Sequence, residues 1–126
     1  MRLSINETTE VEIKARRRWN ETLIEISVGE QYQFTAIGNW TDFIFTKDAN
    51  GYSNSYMQLF DSWKRSKEHL WFALIGALDK SDYFLIGKNS CKTFSKNGIL
   101  YCFANDAKAF YWNNFGKIQL EIKRVK

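Results

Sequence analysis

Ile99-Leu-Tyr-Cys-Phe-Ala104, then Asn105-Asp-Ala-Lys-Ala-Phe-Tyr-Trp-Asn-Asn114, then Phe115-Gly116 and Lys117-Ile-Gln-Leu-Glu-Ile122 is the stretch that decides how this chain is read. An apolar run, a polar and aromatic loop and an alternating tail read as strand, loop, strand. The loop carries one carboxylate, Asp106, near its start and two amides, Asn113 and Asn114, at its end. Oxygen donors gathered on one loop are what a hard cation such as calcium takes, and a loop returning between strands also turns carbonyls inward, with Phe110 placed to offer one. The plainer reading of the same residues is a turn opened by Asn-Asp and closed by Asn-Asn, with Gly116 easing a bend. One formal negative charge implies weak cation binding, with a dissociation constant of about 10⁻⁴–10⁻³ M.

Outward from that loop the chain is a series of short β-type runs. Val11-Glu-Ile-Lys-Ala15 and Leu23-Ile-Glu-Ile-Ser27 read as strands, and Gln31-Tyr-Gln-Phe-Thr-Ala36 alternates with Tyr32, Phe34 and Ala36 on one face. Val28-Gly29-Glu30 is expected as a tight turn that makes 22–37 a hairpin. Trp40 to Phe45 is a further strand, ended by Lys47-Asp-Ala-Asn-Gly51. Tyr56, Met57, Phe60, Trp63 and Lys67 recur at spacings of three and four, which predicts one amphipathic helix over Ser53 to Glu68, capped by Ser53 or Ser55 and burying its aromatic stripe. Leu70 to Leu78 and Tyr83 to Gly87 are apolar on both faces and are expected as central strands. A turn at Ser95-Lys-Asn-Gly98 predicts a hairpin over 91–104, and 117–125 closes the chain as a strand. The sum is a mostly β chain: a two-sheet antiparallel β-sandwich with one inserted helix near 53–68, forming a single domain over 1–126.

Composition narrows the function classes. The 126 residues are a usual length for one domain, and aromatics at 17% supply large rings for its core. The net charge, 18 − 14 = +4, is mild. Arg16-Arg17-Arg18 is the one basic triplet, and nucleic-acid binding is not expected from it. No apolar run approaches the roughly 20 residues of a membrane span. Met1 to Glu10 has no signal-peptide core, so the chain as written is expected to be cytoplasmic, with export by a non-classical route left open. Cys91 and Cys102 flank the 95–98 turn. With Asn97-Gly98 at its centre they lie diagonally, about 7–8 Å apart, whereas a shift of the centre to Lys96-Asn97 would let them pair. Free, buried thiols are the expectation. His69 is the only histidine and is expected to be a solvent-facing residue at a helix end. No nucleophile elbow, phosphate loop or histidine-rich metal motif is present, so the chain is not expected to be an enzyme.

The segment Leu100-Tyr-Cys-Phe-Ala-Asn-Asp106 with Asn113-Asn-Phe-Gly116 resembles the PA-I galactophilic lectin family, small bacterial lectins with a galactose-binding-domain-like jelly-roll sandwich. Val28-Gly29-Glu30, Phe34-Thr-Ala-Ile-Gly-Asn-Trp40, Ala73-Leu-Ile-Gly-Ala77 and Phe84-Leu-Ile-Gly87 fit in the same order, so the resemblance spans about residues 10–124. It implies a calcium ion held by side-chain oxygens of Asp106, Asn113 and Asn114 and by backbone carbonyls of Phe110 and, approximately, Phe43. It also implies a carbohydrate ligand contacting Asp106, Asn113 and Trp112, with two sugar hydroxyls completing the metal's coordination. Two positions depart from the galactose binder, which has a small hydroxyl residue at Phe110 and glycine at Trp112. The expected partner is therefore a glycan or glycoconjugate, with a homo-oligomer compatible. The alternative is a metal-free protein–protein interaction domain that keeps the lectin scaffold and uses Phe110-Tyr111-Trp112 as an aromatic anchor.

Overall fold

The computed structural model describes all of residues 1–126 and shows two antiparallel sheets packed face to face. The strands are β1 (Thr8–Lys14), β2 (Asn20–Ile26), β3 (Gln31–Ile37), β4 (Trp40–Asp42), β5 (Phe45–Lys47), β6 (Leu74–Leu78), β7 (Ser81–Leu85), β8 (Asn89–Thr93), β9 (Gly98–Ala104) and β10 (Asn114–Arg124). The larger sheet runs β5-β4-β10-β3-β8, with β1 also paired to β10; the smaller runs β2-β9-β6-β7. No helix is long and apolar enough to cross a membrane.

Alternation builds the core. Tyr32, Phe34 and Ala36 on β3 and Ile118, Leu120 and Ile122 on β10 point inward, against Ile24 and Ile26 on β2 and Leu100 and Cys102 on β9. Each large aliphatic or aromatic side chain so buried contributes about 1.5–3 kcal/mol relative to exposure. In β6 all five residues are buried, because its second face is covered too. There Ala73, Ile75, Ala77 and Phe103 form a small outer cluster under Trp19, and the Arg65 guanidinium lies 3.6 Å from the Phe103 ring centre.

Several expectations are corrected. β2 and β3 do not form a hairpin: the 28–30 turn carries the chain from one sheet to the other. The same holds for β8 and β9, which pair with β3 and with β2 and β6 respectively. Cys91 and Cys102 consequently lie in different sheets as free thiols, Cys102 buried but Cys91 exposed. β7 is an exposed edge strand rather than a central one. The strand read over 40–45 is broken at Phe43, whose φ of 57° lets β4 and β5 fold back on each other. The helix expected over 53–68 shrinks to one turn, α1 (Ser55–Gln58), capped by Asn54 rather than by a serine, and a 3-10 turn at Asp61–Trp63. Its aromatics follow a helical spacing but wrap an irregular excursion around a cleft. Trp71 Nε1 donates to the Met57 carbonyl and, at 2.9 Å, to Asp61, holding that excursion against the sheets.

Candidate cation and ligand site

Two elements meet at one end of the sandwich. The chain leaves β9, makes the 105–113 loop with two 3-10 turns kinked at Phe110, and enters β10. Beside it, β4 pairs with the start of β10 so that Asp42 lies directly across from Asn114. The turn after β4 is fastened to the loop by the Phe43 N–H, which donates to the Asn113 carbonyl at 3.0 Å. Sheet register and this bond together bring Asp42, Phe43, Asp106, Asn113 and Asn114 to one place.

The loop is anchored by Asn105, which is fully buried and does not face the site. Its Oδ1 accepts from the Ser66 N–H at 2.9 Å, and its Nδ2 donates to the carbonyls of Ser66, His69 and Leu70. His69 is half-buried in that turn with Nδ1 against Ser66 Oγ, not at the end of a helix as expected. Tyr111 is buried under the loop and donates to the Ala104 carbonyl at 2.6 Å.

The site itself is short of hydrogen-bond donors. Asp106 Oδ1 accepts from the Ala107 N–H at 2.7 Å, but its Oδ2 has no partner. Asn113 Oδ1 and Asn114 Oδ1 are likewise buried without partners, although Asn114 Nδ2 donates to the Ala15 carbonyl. Leaving one buried acceptor unpaired costs about 1–3 kcal/mol, so an occupant that brings hydrogen-bond donors or positive charge to these three oxygens would be stabilising. Burial first, and the facing Asp42 carboxylate second, push the Asp106 carboxyl up to about 7. Burial also raises Asp42, whose Oδ2 accepts from the Tyr52 hydroxyl at 2.6 Å. Asp42 and Tyr52 were not singled out in the sequence. Only the cross-strand register reveals Asp42, and it brings a second carboxylate where one had been counted.

The donor set therefore fits a hard cation: two carboxylates and two amide oxygens, with three oxygens orphaned. No cluster of three or more His, Cys, Asp or Glu exists in the chain, so acid and amide oxygens together are the set such an ion would use.

Beside these oxygens opens a cleft of about 240 Å³, whose polar lining is Asp42, Asp106 and Asn113. Its aromatic wall is continuous: Tyr56 to Phe60 at 5.4 Å, Phe60 to Trp63 at 5.1 Å, and Trp63 stacked on Phe110 at 6.1 Å with the planes 15° apart. Phe110 is thus part of this wall. Trp112 lies outside the lining with its residue surface 64% exposed, and its carbonyl accepts from Arg16 at 2.9 Å.

No protein-family model and no curated protein matches the chain. Among solved structures it is similar to one described as "EclA N-terminal domain; PllA-like lectin", with a TM-score of 0.67 and 19% identity, covering 91% of this chain and 94% of that one. At that identity the likeness establishes the fold, a lectin-like β-sandwich.

Proposed function

We propose that this chain is a non-enzymatic carbohydrate-binding module whose sugar is held through a calcium ion at the Asp106 loop. The observation that carries the reading is the trio of buried, unpartnered oxygens on Asp106, Asn113 and Asn114. Those side chains and the Asp42 carboxylate, with the Phe110 and Phe43 carbonyls, would hold the ion. Calcium takes 6–8 oxygens, and when bound here it would supply positions for two sugar hydroxyls. Asp106 and Asn113 border the cleft and accept from further hydroxyls, while the Trp63–Phe110 wall offers an apolar face to a pyranose ring. Trp112 would contact a glycan that extends past the cleft. The lectin-like fold of the similar structure supports the same reading.

The test is calcium titration during thermal unfolding. At 100 times its dissociation constant the ion should stabilise the chain by about 2.7 kcal/mol, a rise in Tm of roughly 10 °C. Asp106→Ala should abolish that rise, and a glycan array should lose its signals on chelation. No rise at calcium about a hundredfold above 10⁻⁴–10⁻³ M, or an equal rise in Asp106→Ala, would sink the metal part. An array blank in calcium would sink the sugar part.

A further inference from the structure

Six apolar side chains from three separate segments stand exposed around the cleft. They are Phe43 (60%) and Ile44 (69%) on the β4–β5 turn, Tyr56 (67%), Leu59 (76%) and Trp63 (53%) on the 53–63 excursion, and Phe110 (38%) on the site loop. Scattered exposed apolar residues need no explanation, but a group gathered at one end of a molecule does. Four of the six line the cleft; Ile44 and Leu59 do not, so binding in the cleft leaves them in water.

Positive charge flanks the same end. Behind the Trp63–Phe110 stack lies an open hollow lined by Lys64, Arg65 and Lys108. Lys64 is committed to Asp61 and to the His69 carbonyl, and Arg65 to the Tyr111 hydroxyl. Lys108 is exposed and in no ion pair. Arg65 also donates to the Arg18 carbonyl, which sets the exposed Arg16-Arg17-Arg18 triplet beside this end, again without ion pairs. Aliphatic side chains at turn tips, amphipathic Trp and Tyr beside them and unpaired cations behind are the arrangement that suits the headgroup boundary of an anionic bilayer. Protein-binding hot spots, by contrast, favour well-packed Trp, Tyr and Arg, with Leu under-represented.

We propose that this end of the sandwich docks on an anionic lipid surface. Ile44 and Leu59 enter the acyl boundary, Tyr56 and Trp63 lie at headgroup level, and Lys108 with the arginine triplet meets anionic headgroups. The cation cradle then faces the headgroup layer. That this lets it meet membrane-displayed sugars rests on the function proposed above; the docking itself does not.

The experiment is co-sedimentation of the intact chain with vesicles of phosphatidylcholine, with and without phosphatidylserine, in chelator so that calcium cannot bridge. Binding to the anionic vesicles is expected, weakening with salt, with a blue shift of tryptophan emission and quenching by brominated lipid. Ile44→Ser/Leu59→Ser removes two buried aliphatic contacts and should weaken binding roughly a hundredfold. Both residues are largely exposed, so an unchanged Tm will show the variant folded. Lys108→Glu/Arg17→Glu should remove the preference for phosphatidylserine. Asp106→Ala should bind vesicles in chelator at least as tightly as the wild type, one carboxylate fewer facing the headgroups, while its Tm no longer rises with calcium, which separates failure of this proposal from failure of the function reading. No binding to anionic vesicles, or equal binding by the serine variant, overturns the proposal. So does a wild-type dimer in ultracentrifugation that the serine variant dissolves without any vesicle binding, since the rim would then be a self-association face.

Discussion

Two buried acids show how neighbours decide the state of a carboxyl. Burial opposes the charge of Glu30, but the Ser27 N–H, the Tyr32 hydroxyl and the guanidiniums of Arg124 and Arg2 outweigh it and hold its carboxyl below the usual 4.5. Arg2 lies 2.6 Å and Arg124 3.0 Å from Glu30, tying both chain termini to the 28–30 turn. Asp106 has no cation beside it, and burial and the Asp42 carboxylate outweigh what the Asn114 amide and the Ala107 N–H offer, so it rises instead. A carboxyl lowered on folding lends stability above its unfolded pKa and loses it as pH falls toward the folded value. Glu30→Gln should therefore destabilise the chain near neutral pH by roughly 1–2 kcal/mol, and the gap to wild type should narrow as pH falls below about 4.5. Asp106→Asn in calcium-free buffer should be neutral or stabilising, because it removes a buried charge that faces another. Urea denaturation of the three proteins at several pH values measures all of this. A Glu30→Gln penalty independent of pH would show that the carboxylate's charge is not what matters.

Strands were legible in the sequence, and their partners were not. Alternation placed Tyr32, Phe34 and Ala36 on one face of β3 and Ile118, Leu120 and Ile122 on one face of β10, and both faces are buried. The same pattern cannot say whether the next strand pairs at the edge or packs across the core, because either choice buries the same side chains. That is why 22–37 and 91–104 read as hairpins although each bridges the two sheets. The helix over 53–68 failed for a related reason. Spacings of three and four among Tyr56, Phe60 and Trp63 record a shared aromatic wall, not a helical face. This excursion is instead fixed by backbone, through the Tyr52–Trp71 bridge and Gly51 at φ 76°, where a Cβ would collide with the backbone of Trp71 and Ala73. Gly51→Ala should cost about 3 kcal/mol or more, while Gly29→Ala, at φ 87° but with open space around it, should cost only about 1–2 kcal/mol of backbone strain. Midpoints of urea denaturation at unchanged slope will rank them. Equal losses would mean that conformation alone, and not the close approach, makes Gly51 necessary.

At the scale of the molecule the site belongs to no single element. That Asp106, Asn113 and Asn114 fall on one loop was readable; that Asp42 lies across from them was not, because it arrives through pairing between strands separated by some seventy residues of chain. If residues 1–126 unfold as one unit, a site assembled from separate strands couples its ligand to global unfolding, and the two thiols can report that coupling. Cys91 is exposed and should react with a thiol reagent at once. Cys102 is wholly buried in the β2-β9-β6-β7 sheet, with its thiol pKa pushed far up by burial, so it should react only when the sandwich opens. Its labelling rate is then proportional to the unfolded fraction when reclosing outpaces labelling. Calcium at 100 times its dissociation constant should slow Cys102 roughly a hundredfold and leave Cys91 unchanged. The same protection should vanish in Asp106→Ala. If calcium instead leaves Cys102 labelling unaltered while raising Tm, the ion stabilises only the loop end, Cys102 opens by a local route, and 1–126 does not unfold as one unit.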